Sequence, residues 1–185
     1  MRLVANMKDA QLIAQCIERV TKAQETLYNT YLPYLLTIVR RYGIDKAGEP
    51  DVIQEIYIEI FSSLKKYDID KGSLKTWIRT LAVYKILNIK RKKGSLHIVD
   101  LADHLDMGDD NLINYQEHPP NYILQAIRSL PDGYQTIFNL YEVDGYNHKE
   151  IAEMLNITSE GSRSQLSRAR AILRKKLVNN KYQAK

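Results

Sequence analysis

Apolar side chains recur every three or four residues along most of this chain, and nowhere do they alternate for the length of a strand. That pattern constrains the fold more than any other feature, and it predicts an all-α protein. In the first block Leu12, Ile13, Cys16, Ile17 and Val20 share one helical face, and Leu27, Tyr31, Leu35 and Ile38 share the next. Pro33 falls inside that second stretch, where its missing N–H and rigid ring predict a kink or a restart. Gly43 marks a stop. GEPDVIQEIYIEIFSSL then opens a new helix: Pro50 suits its first turn, Asp51 complements its N-terminus, and Val52, Ile53, Ile56, Ile60 and Phe61 form its apolar stripe. YDIDKGS reads as a loop, and SLKTWIRTLAVYKILNIKRKK as one more helix with Ser73 as its N-cap.

Residues 94–120 break the pattern. They lack sustained periodicity, begin at Gly94, end at Pro119–Pro120, and predict a connector between two small helical domains at 1–93 and 121–185, with a short helical turn near Ile98–Leu105. The connector holds six acids (Asp100, Asp103, Asp106, Asp109, Asp110, Glu117) and no Lys or Arg. Residues 1–93 carry 17 Lys/Arg against 10 Asp/Glu, and residues 121–185 carry 10 against six. The net charge of +5 therefore conceals two basic blocks around an acidic linker, a distribution suited to a polyanionic partner. A solvated charged surface is the plainer alternative.

The second block is helical as well. NYILQAIRSL is stopped by Pro131, and GYQTIFNLYEV by Asp144–Gly145. Asn147 and Glu150 have the spacing of a capping box and open a helix to about Leu155; Asn156–Ile157 makes a tight turn; Thr158 or Ser159 caps a last helix to about Val178. Two helices joined by three or four residues, the second one basic, form the pattern of a helix-turn-helix. Ile151, Ala152 and Leu155 supply the buried face, with Leu166, Ala169, Ile172 and Leu173 as core on the second helix. Arg163, Ser164, Gln165, Ser167, Arg168, Arg170 and Arg174 are offered to a ligand, since arginine forks onto guanine or phosphate and serine hydroxyls take phosphate.

At these residues the chain resembles the extracytoplasmic-function (ECF) group of sigma-70 family RNA polymerase sigma factors. The stretches LP, YQTIFNLYEVDGY, KEIAEML and SRSQLSRAR resemble the family's promoter-binding domain. LYNTYLPYL, RRYG, DVIQEIYIEIF and KGSLKTWIRTLAVYKILNIKRKK resemble its other domain, so the likeness runs from about residue 23 to 177. It implies minus-thirty-five contacts at Arg163, Ser164, Ser167 and Arg168. It implies docking of Asp51, Gln54 and Glu55 on the clamp of the largest subunit of core RNA polymerase. It implies minus-ten recognition and melting by the Tyr67–Ser73 loop and the helix after it, with Lys71, Lys75, Arg79, Tyr84, Lys85 and Arg91 as contacts, and Lys90 and Lys92 adding charge. Trp77 could stack on an unstacked base, but its spacing with Leu74, Ile78 and Leu81 places it in the core. Two departures stand out: Tyr84 where many members have asparagine, and Glu160–Gly161 where the family often reads Gly-Thr. The acidic linker either threads the polymerase channels, as in the family, or serves as a self-repelling tether.

The implied partners are core RNA polymerase, promoter DNA and an anti-sigma factor, without a need for homodimerisation, and the implied location is cytoplasmic. Cys16 is the only cysteine, His97, His104, His118 and His148 are scattered, and no metal or other cofactor is expected. No run approaches the ~20 apolar residues of a membrane span. MRLVANMKDAQLIAQC lacks the apolar core and cleavage site of a secretory signal. Phosphate-loop and nucleophile-elbow spacings are missing, which argues against an enzyme. The rivals are a stand-alone helix-turn-helix regulator, which would dimerise on palindromic DNA, and a nucleic-acid enzyme that uses this domain as an anchor.

Overall fold

Every regular element expected as helical is helical among the residues that the computed structural model describes, 2–94 and 120–180. The acidic connector and the turn near Ile98–Leu105 lie outside them. The helices are α1 (Arg2–Ile17), α2 (Thr21–Arg41), α3 (Glu49–Ser63), α4 (Leu74–Lys92), α5 (Pro120–Arg128), α6 (Asp132–Phe138), α7 (His148–Leu155) and α8 (Ser159–Asn180). They form two units: residues 1–40 with 44–92, and residues 93–185 with the Arg41–Gly43 segment.

In the first unit α3 packs along α4, and the core is built from Ile13 and Cys16 of α1, Leu27, Leu35 and Ile38 of α2, Ile56 and Ile60 of α3, and Leu74, Ile78, Ala82, Val83 and Ile86 of α4. Fully burying each larger aliphatic chain contributes roughly 1.5–3 kcal/mol. Two local expectations change. α2 runs unbroken through Pro33. The proline is exposed, and Leu27 before it and Leu35, Ile38 and Val39 after it are all buried, so packing on both sides of the defect keeps the helix from restarting there. Val20 leaves the apolar stripe: Arg19 takes a left-handed φ of 62°, α1 ends at Ile17, and Val20 is exposed.

In the second unit α8 lies against α6 and α7 and meets α5. Ile151, Ala152, Met154 and Leu155 of α7 are buried with Leu166, Ala169, Leu173 and Leu177 of α8. α7 has only eight residues, too few to persist alone, so this apolar contact and its caps hold it. The backbone after α6 widens into a π turn over Asn139–Val143 and stops at Gly145, whose φ is 79°.

Candidate nucleic-acid interface

Local chemistry sets the helix-turn-helix. Asn147 Oδ1 accepts from the amides of Lys149 (2.9 Å) and Glu150 (3.1 Å), and Glu150 Oε2 accepts from the Asn147 amide at 2.7 Å. This reciprocal cap starts α7. Asn156 ends it in the left-handed region at φ 56°, and Thr158 Oγ1 accepts from the Gly161 amide at 2.9 Å to start α8. Three residues thus separate the two helices.

α8 divides cleanly by face. Ser162, Gln165, Leu166, Ala169, Leu173 and Leu177 are buried. Arg163 and Ser164 are exposed, Ser167 and Arg168 half-buried, and the four occupy one arc of about 140° at 3.6 residues per turn. The four residues expected at DNA therefore share a surface. Gln165 does not join them: it is buried on the inward side, because its position continues the stripe through Ala169 and Ser162. Glu160 pairs with Arg163 at 3.1 Å, so one of the departures noted above sits directly on an expected contact. Arg170 pairs with Glu142 at 2.7 Å and lies over the Tyr141 ring. His148 Nδ1 meets Ser162 Oγ at 2.9 Å while its ring stacks on Tyr141. Burial, then the charges of Arg163 and Arg170, hold His148 below its ordinary pKa.

The expected minus-ten set is less unified. Ser73 caps α4, its Oγ accepting from the Thr76 amide at 3.2 Å. Tyr84 is 46% exposed, and Arg91, two turns on, faces the same way. Between them lies exposed Asn88, whose Oδ1 accepts from Arg91 at 2.9 Å. Asn88 carries no charge and is not among the contact positions that the resemblance implies; its spacing of four from Tyr84 is what places it on this face. Arg79 lies about 140° round the helix from Tyr84 and Lys75 on the opposite side. Lys75 Nζ instead sits 4.6 Å from the centre of the Tyr34 ring on α2, and the Arg79 Nε is buried. Lys71 pairs with Asp68 within the loop at 3.5 Å. Lys85 borders the Tyr84 face and pairs with Glu55 of α3 at 3.2 Å. Trp77 is half-buried rather than core. Its ring meets Tyr67 edge-on at 5.5 Å, and the Tyr67 hydroxyl donates to the Gly72 carbonyl at 2.9 Å, so the pair braces the loop.

Asp51, Gln54 and Glu55 are all exposed on α3. Gln54 alone of the three lines an open groove of about 980 Å³ between α2 and α3, floored by Tyr28, Leu32, Ile53, Tyr57 and Phe61. Ile58 stands at its rim, 60% exposed. The Tyr57 hydroxyl donates to the Tyr28 carbonyl at 2.7 Å, and Arg40 forks onto Glu49 at 2.9 and 2.8 Å. Phe61, expected in the core stripe, contributes instead to this half-open surface. Among the described residues no group of three His, Cys, Asp or Glu could hold a metal, and no helix is long and apolar enough to cross a membrane.

Comparison with known proteins adds two family matches in order. The sigma-70 region 2 model matches residues 27–95, and the sigma-70 region 4 model matches residues 121–173. The chain is 23% identical to the ECF RNA polymerase sigma-E factor of Haemophilus influenzae, with 95% of this chain and 98% of the relative covered. It is 26% identical to the ECF RNA polymerase sigma-E factor of Escherichia coli, with 90% and 92% covered. Among solved structures, the sigma factor RpoE, determined in complex with the anti-sigma factor NepR from Bartonella quintana, aligns with a TM-score of 0.52 at 17% identity. That alignment covers 83% of this chain and 95% of the other, a likeness of fold.

Proposed function

We propose, from the premise that this chain belongs to the sigma-70 family as an RNA polymerase sigma factor of the ECF type, a residue-level division of labour between its two domains. As a sigma factor it is a non-enzymatic subunit that directs core polymerase to promoters and initiates transcription. The region 4 domain, residues 121–185, holds the minus-thirty-five element as duplex. The observation that carries this reading is the outward arc of α8, where Arg163, Ser164, Ser167 and Arg168 stand opposite a buried face of Leu166, Ala169, Leu173 and Leu177 with Ser162 and Gln165. Arginine and serine there serve base edges and phosphates in a major groove.

The region 2 domain, residues 1–93, takes the melted minus-ten strand and the polymerase on different faces. Tyr84, Lys85 and Arg91 present one ring and two cations, the combination that single-stranded DNA requires. Lys71, Lys75 and Arg79 lie away from that face and contribute to strand capture through the loop side of the domain. Asp51, Gln54 and Glu55 dock on the clamp of the largest subunit, with the groove beside Gln54 receiving apolar side chains. The acidic segment 94–120 connects the two domains. The protein acts in the cytoplasm, and an anti-sigma factor is its third partner, as NepR is for RpoE.

In vitro transcription with purified core enzyme tests this assignment. Arg168→Ala is expected to weaken minus-thirty-five use while core binding stays intact, and a double Asp51→Asn, Gln54→Ala change to do the reverse. Damage to the same step by both variants would defeat the division. Tight palindrome binding by the chain without core polymerase would favour a free-standing regulator instead.

A further inference from the structure

Two residues assigned to different partners are bonded to each other. Glu55 belongs to the polymerase-facing side of α3, Lys85 to the edge of the DNA-facing side of α4, and their side chains meet at 3.2 Å across the seam between the helices. We propose that this ion pair is an interlock: Glu55 occupies Lys85 in the free sigma factor, and polymerase docking, by engaging Glu55, releases Lys85 to the minus-ten strand. The inference rests on the residue assignments of the preceding subsection.

The geometry suits an exchangeable contact. The Lys85 side chain is 26% exposed and that of Glu55 52%, so Glu55 is the more open partner to an incoming cation. A pair this accessible is weakly held, and a competing charge displaces it without unfolding anything. A phosphate and Glu55 compete for one ammonium, because the negative charge of Glu55 beside Lys85 also repels an approaching phosphate. Strength is of the right order for tuning rather than locking: releasing a surface pair alters an equilibrium by up to about fivefold.

The test uses the full chain, free and with saturating core polymerase. The probe is a labelled single-stranded oligonucleotide covering the melted minus-ten region of a promoter that the holoenzyme opens, read by anisotropy at low salt. Glu55→Gln, Lys85→Ala and the double variant complete a cycle that isolates the pairwise coupling. In the free chain Glu55→Gln should tighten binding up to about fivefold, and the gain should vanish in the double variant. In the holoenzyme Glu55→Gln should add nothing, while Lys85→Ala weakens binding. A gain that persists without Lys85, or none at all, overturns the interlock. If Lys85→Ala leaves holoenzyme binding unchanged, the placement of Lys85 at DNA itself fails, a separate result from failure of the coupling.

Discussion

Replacing Asn147 by alanine removes an acceptor that two amides share. Its Oδ1 serves Lys149 and Glu150 at 2.9 and 3.1 Å, and the returning bond from the Asn147 amide to Glu150 loses its geometric partner. Loss of such a cap costs about 1 kcal/mol, within a range of roughly 0.5–2. α7 has eight residues, so no interior turns dilute the loss. The expected readout is local. Amide hydrogen exchange across residues 147–155 should accelerate by about fivefold, the factor that corresponds to ~1 kcal/mol. Asn147→Asp, which keeps the acceptor and adds charge at a helix N-terminus, should restore protection. Affinity for minus-thirty-five duplex should fall with the same rank order, while core binding is unaffected. Unchanged exchange in the alanine variant, or acceleration equal in the aspartate variant, would refute the reasoning that the cap holds the first helix of the motif.

Arg168→Ala should lower the slope of log Kobs against log[salt] for promoter duplex by about 0.9, the share of one phosphate contact, measured by titration from low to moderate salt. Tyr57→Phe deletes the donor to the Tyr28 carbonyl and should destabilise region 2 by about 1 kcal/mol in urea denaturation. His148 binds its proton more weakly folded than unfolded, so the unfolded chain takes up more protons as pH falls below about 6.5. Stability of the second unit should therefore be level above pH 7 and decline through that acid window, and His148→Gln should flatten the urea midpoint between pH 7.5 and 5.5.

The motif around α7 and α8 was legible because its determinants are local. Asn147 and Glu150 encode their own bonds at a spacing of three, and the apolar stripe from Leu166 to Leu173 leaves only one arc outward. Expectations failed where distant packing decided. Pro33 interrupts a helix by local rules, yet α2 continues through it without a restart, with buried residues on both sides. Arg19 adopts a glycine-like φ that nothing in its identity announces, and Val20 is displaced as a result. Periodicity assigned Phe61 to a covered face, but only the fold says how wide the cover is, and the groove along α2 and α3 ends up open. The Glu55–Lys85 contact joins residues thirty positions apart and has no signature in either helix.

The partition of α8 has a consequence for how such proteins diversify. Its inward residues pack against α6 and α7, its outward ones carry the polar and charged side chains, and the three-residue turn fixes the rotation between the two helices of the motif. A substitution at exposed Arg163 or Ser164 leaves the apolar stripe of α8 untouched, so the proposed DNA-facing surface can change with little disturbance of the core. A one-residue insertion before Ser159 has the opposite character, since it rotates the helix by about 100° and turns part of the apolar stripe out of the core. Duplicated genes of this type can vary the outward face of α8 by point change while the buried stripe holds the scaffold, and the four positions proposed at DNA are where a designer would start to alter promoter choice.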